Sequence, residues 1–241
     1  MSKIIFVIVF AILIHMYFTF DISDEPLTHN RFGDISKARG IWRNIYGDEY
    51  DVLKNKHLGT TEEIAWNIMC QHINQINYYR SLHGVPDLKM HIELNEVAQI
   101  LANHIVKTKY YEHGPTQFMY GENICLQQLS FDAGKRSADL YYDEFFKLDK
   151  YGNPYNFNGT EFEKSQAGNS CIRGHAISIV WKNAREIGVG VAYGNSFYDN
   201  EENFEKSYII TAVINPATNV IGEFVDNVVP RETPFYRLIL L

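Results

Sequence analysis

Two segments decide the fold: Ile187-Gly188-Val189-Gly190-Val191-Ala192-Tyr193 and Tyr208-Ile209-Ile210-Thr211-Ala212-Val213-Ile214. In the first, large apolar residues alternate with glycine or alanine, the period-two pattern of a strand. In the second, nearly every residue is β-branched or apolar, which reads as a buried strand. Residues 194–206 between them carry Gly, Asn, Asp and Glu and suit a hairpin loop. Pro216 and Asn219 begin a turn, and Gly222 to Val228 reads as a last short strand.

Upstream the period is helical. Thr60 and Glu63 have capping-box spacing, and Ile64, Ile68, His72, Ile76 and Tyr79 follow at helical intervals until Gly84 and Pro86. Leu94, Val97, Ala98, Leu101, Ala102 and Ile105 mark a second helix, which ends before His113-Gly114-Pro115. Ser130 caps an expected third helix reaching about Leu148, with Ala138, Tyr141, Phe145 and Leu148 on one side. A loop rich in Gly, Asn and Pro follows from Tyr151 to Asn169, then a short helix from Gly174 to Ala184. Residues 21–60 show no sustained period and read as an extension with one short helical piece around Trp42 to Tyr46. Helices first, a hairpin later and no regular βαβ alternation predict an α+β sandwich around an antiparallel sheet.

Composition narrows the function. The 241 residues are 46% hydrophobic and 14% aromatic, a balance that folds. With 22 basic and 29 acidic residues the net charge is −7, and no Lys/Arg cluster offers the basic face a nucleic-acid binder needs. Lys3 precedes an apolar run from Ile4 to Phe20, followed by Asp21, Asp24 and Glu25. This reads as a secretory signal over residues 1–20, with an uncleaved membrane anchor as the alternative. On that reading the chain is extracellular and meets a membrane only if the segment is retained. Asn158-Gly159-Thr160 is a glycosylation sequon. The three cysteines, Cys70, Cys125 and Cys171, include no CxxC pair, so a cysteine-based zinc site is not expected.

No GxSxG elbow, HExxH, Walker loop or GxGxxG fingerprint occurs. Four other segments set polar residues beside rigid apolar sequence: His113-Gly114-Pro115, Tyr120-Gly121-Glu122-Asn123, Tyr141-Tyr142-Asp143-Glu144, and Gly174-His175 followed by Ile179-Val180-Trp181-Lys182. In that order they resemble the CAP superfamily of cysteine-rich secretory, antigen 5 and pathogenesis-related class 1 proteins, with the venom-allergen-like proteins of parasitic nematodes nearest. The resemblance runs from about Ile64 to Val228. It implies a CAP/SCP domain over 61–228, a three-layer α-β-α sandwich, between the 21–60 extension and a 229–241 tail docked on it.

The resemblance also implies a cleft with two histidines and two glutamates, here His113, Glu122, Glu144 and His175. Such a set suits Zn2+ or a similar divalent ion, and Glu122 and Glu144 are the candidates for a general base. The chain departs from the family pattern in places. Tyr141 stands where Trp is usual, Ala176-Ile177-Ser178 where an aromatic, Thr and Gln are common, Ala212 for a cysteine, and Thr218 for a glycine. Cys125 and Cys171 each flank a cleft residue and are paired on this reading, leaving Cys70 as a buried thiol. Among the other histidines, His72 and His104 read as packed core, His83 as a cation at a helix end, and His29, His57 and His91 as surface residues. The function implied is a secreted, non-enzymatic binding or effector module for a lipid, a sterol or a host extracellular protein. The alternatives are a metal-dependent hydrolase using the cleft, and a scaffold whose loops capture a protein partner.

Overall fold

The glycines of the alternating strand explain how the layers come together. The computed structural model describes residues 22–23, 33–149, 151–169, 173–195 and 206–231. The expected signal segment, most of the hairpin loop, Cys171, His29 and the tail from Phe235 to Leu241 lie outside them. Five strands, β1 (Ile22–Ser23), β2 (Lys89–His91), β3 (Gly121–Gln127), β4 (Glu186–Gly194) and β5 (Ser207–Asn215), form one sheet in the order β1-β2-β4-β5-β3. The helices are α1 (Ile35–Tyr46), α2 (Tyr50–Leu53), α3 (Glu62–Leu82), α4 (Ile92–Thr108), α5 (Ala133–Asp143), α6 (Glu161–Asn169), α7 (Gly174–Ile179) and α8 (Phe224–Asn227). The three long strands pair antiparallel, as expected, but β1 on β2 and β2 on β4 pair parallel, so the sheet is mixed.

One face of the sheet packs Ile187, Val189, Val191, Ile210 and Ile214 against α3, α5 and α7. The other buries Ala192, Ile209 and Val213 against α4 and the Trp42 and Tyr50 side chains of the extension. This is the three-layer arrangement that the family resemblance implies. On the α4 side the strand offers glycine. A Cβ on Gly190 would lie 2.3 Å from the carbonyl oxygen of Ala98, and one on Gly188 2.0 Å from the backbone of Leu94. The helix backbone therefore rests directly on the strand, and Thr211 Oγ1 donates to the Ala98 carbonyl at 2.7 Å.

The short β2 covers only the first two residues of β4. Beyond it, side chains of α4 take over. Asn95 Oδ1 accepts from Val189 N at 2.9 Å, and the Gln99 amide both accepts from and donates to the backbone of Val191 at 3.0 Å. His57 Nδ1 also reaches the Val191 carbonyl, and Tyr193 N donates to Leu58 O.

Several local readings change. The extension holds a full helix, α1, capped by Asp34, whose side chain accepts from Lys37 N. Thr61 rather than Thr60 caps α3, accepting from Ile64 N. The third helix starts after Asp132 and stops at Asp143, and a 3-10 turn continues it over Glu144–Phe146. The stretch expected as a loop contains α6, and the expected last strand is the single turn α8. Arg80 of α3 is fully buried, makes no ion pair among the described residues, and donates to four carbonyls, those of Pro86, Ile179, Trp181 and Ala184. It thereby ties α3 to the end of α7, the helix that carries His175.

Candidate functional site

The first half of the site joins the loop after α4 to strand β3. His113 Nδ1 meets Glu122 Oε1 at 2.7 Å, and Gly114 N donates to the same oxygen at 2.9 Å. The glutamate side chain is 2% exposed and the histidine 49%, so the pair has an inner carboxylate and an outer ring. Gly114 fits closely: a Cβ there would sit 3.0–3.2 Å from the side chains of Leu101, Trp42 and Glu122. The hydrogen bond to Glu122 raises the His113 imidazole above its ordinary pKa, against the opposing effect of burial.

The second half joins the end of α5 to the start of α7. His175 Nδ1 meets Glu144 Oε1 at 2.8 Å. Glu144 Oε2 accepts from the backbone N–H groups of His175 and Ala176, each at 3.1 Å. Those donors open a helix and have no intrahelical partner, so the carboxylate satisfies them. Tyr141, one turn earlier on α5, stacks on the His175 ring with centroids 4.7 Å apart and planes 12° apart. Asn219, held at φ 57°, donates from its amide to the Gly174 carbonyl and fixes the entry to α7.

Both histidines and Glu144 line one cleft of about 980 Å3, with Glu122 behind His113. Its walls also include Tyr111, Ile124, Cys125, Leu126, Leu140, Phe146 and Lys147, with the acidic Glu112 and Asp143. Of these, the sequence reading singled out only Cys125 and Asp143. Ile124 and Leu126 sit on β3, a strand visible in the sequence only as the Y-G-E-N motif. The four expected ligands do not converge as one cage. Among the described residues no group of three or more His, Cys, Asp or Glu is placed to hold an ion. Each glutamate instead engages its own histidine through Nδ1, so Nε2 is the ring nitrogen that the glutamate does not hold.

Other expectations resolve as follows. Cys125 borders the cleft as a buried free thiol, so the bridge expected to Cys171 is not made at this end. Burial pushes that thiol up to about 11. Cys70 is also free but only half-buried. Asn158 is exposed in the turn before α6. His72 is core, as expected, and burial pulls it down to about 4. His104 is half-buried, with Nδ1 2.6 Å from Tyr46 Oη. His83 is not a helix-end cation: it is buried between the Val229 carbonyl and Tyr142 Oη, and burial lowers its pKa. His91 is buried and His57 half-buried, so neither is a surface residue. Both were misread because an imidazole is small enough to pack and can bond to backbone.

Two departures from the family pattern meet each other. Ser178 Oγ lies 2.7 Å from Thr218 Oγ1, both buried. Thr218 packs over Gly121, where a Cβ would come within 2.3 Å of its hydroxyl. Ser178 thus bonds across to the Pro216–Asn219 turn.

Comparison with known proteins bears on this geometry. The family model described as CAP, cysteine-rich secretory protein family, matches residues 73–222. Golgi-associated plant pathogenesis-related protein 1 of Homo sapiens is 34% identical over 159 residues, which cover 64% of this chain and 87% of that protein. Among solved structures, that of NaASP2 with Zn2+ aligns with a TM-score of 0.46 and 17% identity over 73% of this chain and 90% of its own. Venom allergen-like protein 4 of Schistosoma mansoni aligns at 0.42 and 16% over 72% and 97%.

Proposed function

This chain belongs to the CAP, or cysteine-rich secretory protein, family, and on that premise we propose that it is a secreted, non-enzymatic binding module whose cleft presents two imidazoles to a divalent cation such as Zn2+. One observation carries the reading: each ring is held through Nδ1 by its own buried glutamate, and both rings border the same cleft. A carboxylate on Nδ1 fixes the tautomer and orientation and makes Nε2 the better ligand. The two histidines would hold the ion, while Glu122 and Glu144 would orient them. Two nitrogen donors fit an open, exchangeable site better than a closed structural one, which takes four protein ligands. A bound ion would supply a Lewis-acidic centre at which an oxygen of the ligand settles. Around it, Leu140 and Phe146 are exposed apolar walls suited to a lipid, a sterol or an apolar patch on an extracellular protein.

The hydrolase reading has less support. Glu144 already accepts three hydrogen bonds and has little capacity left to take a proton from water. Glu122 is turned inward behind His113. Cys125 is buried with a raised pKa, the opposite of an activated thiol.

A thermal-shift titration with zinc on the folded protein tests the proposal. A ligand that binds only the native state stabilises it by RT ln(1 + [L]/Kd), about 2.7 kcal/mol at a hundredfold excess over Kd. The wild type should rise in Tm, and His113→Ala and His175→Ala should each lose the rise. No rise at saturating zinc, with all three proteins folded, would remove the metal from the proposal.

A further inference from the structure

His72 is fully buried on α3 and takes no part in the cleft, yet its ring is in contact with the residue that stacks on His175. His72 and Tyr141 meet edge to face, with centroids 5.6 Å apart and planes at 82°. The tautomer of His72 follows from its neighbours. Its Nδ1 lies 3.3 Å from the Gly134 carbonyl, which can only accept, and 2.6 Å from Ser137 Oγ. The Ser137 hydroxyl is itself committed as a donor to that carbonyl at 2.7 Å. Nδ1 therefore carries the proton, and in the neutral ring Nε2 is an acceptor. Burial keeps the ring neutral, lowering its pKa to about 4.

That acceptor has no partner among the described residues, and neither has the Tyr141 hydroxyl; both atoms are buried. A buried polar atom left unpaired is destabilising, because it gives up its bond to water and gains none. Here one orphan is an acceptor and the other a donor, and they belong to rings in contact. The family pattern has a tryptophan at position 141. A tyrosine there brings a hydroxyl that must be satisfied, and His72 is the group that complements it.

We infer that His72 is a positioning residue for the cleft: the Tyr141 hydroxyl donates to a single buried water that in turn donates to His72 Nε2, and this bridge sets the plane on which His175 stacks. A track then runs from Ser137 through His72 and Tyr141 to His175 and Glu144. The inference deepens the proposed role of His175 but does not need a metal to be bound.

The experiment is a 1H–13C spectrum of the histidine ε1 groups of the full protein, metal-free and at one fixed pH. The His175 resonance, assigned by its loss in His175→Gln, should carry the ring-current shift of the stacked Tyr141. Tyr141→Phe keeps the ring and removes only the hydroxyl; His72→Phe removes the acceptor together with the Nδ1 contacts to Gly134 and Ser137. Each should move the His175 resonance in the same direction, and the double variant should move it no further than the larger single one. Unchanged His175 resonances in both folded variants, or shifts that add, would overturn the inference. If His72→Phe does not fold, Tyr141→Phe decides alone, because it leaves the packing intact. Loss of zinc binding in the earlier titration leaves this outcome untouched, so the two proposals fail separately.

Discussion

Gly190→Ala tests the layer contact on which the fold depends. The added Cβ would stand 2.3 Å from the Ala98 carbonyl oxygen, 2.4 Å from its carbon and 2.5 Å from Gln99 N. Ordinary contact needs about a further 1 Å, and all three atoms belong to helix backbone rather than a side chain that can swing away. The helix must lift or slide. Overpacking of this kind costs about 1–3 kcal/mol. Movement at Ala98 and Gln99 also strains the 2.7 Å bond from Thr211 and the paired 3.0 Å bonds to Val191. Loss of one or two of these buried bonds adds about 1–3 kcal/mol. The expected destabilisation is about 3–5 kcal/mol, a large part of the roughly 5–15 kcal/mol that holds a domain together. Gly40→Ala is the control. Gly40 lies inside α1, and a Cβ there meets nothing within 4 Å. That change should stabilise by about 0.5–1 kcal/mol. Urea unfolding followed by circular dichroism reads both. A Gly190→Ala loss below about 1 kcal/mol, with an unchanged m-value, would refute the backbone-contact argument.

Two further predictions concern buried basic side chains. His72 has a folded pKa of about 4 against an ordinary 6.5, so the unfolded chain takes up its proton first as pH falls. The stability it contributes is complete above pH 6.5 and is lost progressively down to pH 4, by about 3 kcal/mol in all. His72→Gln should flatten that part of the stability–pH curve, and an unchanged slope would show that another group titrates there. Arg80→Met should cost about 3–5 kcal/mol, because four buried carbonyls lose their donor at once. Chemical denaturation checks it, and a variant within 1 kcal/mol of wild type would mean that water reaches those carbonyls.

The elements with a single strong period were legible in the sequence. The Leu94 to Ile105 spacing belongs to a helix with one face on the sheet, and both hydrophobic strands stand where alternation and β-branching put them. What was hidden was decided by tertiary contacts or by short signals. β3 carries Glu122, Asn123 and Gln127 and has no clean alternation; pairing with β5 along all seven residues makes it a strand. The start of α6 is written in Thr160-x-x-Glu163, where Thr160 Oγ1 accepts from Glu163 N and the Glu163 carboxylate accepts from Thr160 N. Surrounding Gly, Asn and Pro masked it. In the same way Gly33, Gly40 and Gly47 obscured α1, although Ala38 and Trp42 are spaced for one buried face. The four cleft residues were legible as motifs. That they form two separate His–Glu pairs was not, because pairing depends on where β3 and α7 end up in space.

The amide side chains that close the edge of β4 come from a helix made long before the strand. Asn95 and Gln99 precede their partners Val189 and Val191 by 94 and 92 residues. As the chain leaves the ribosome, the cover exists before the surface it covers. A bare strand edge invites pairing with neighbouring molecules, and the danger is greatest while folding is incomplete. Here the order of synthesis shortens that interval: the strand emerges to meet a partner already waiting in the same chain.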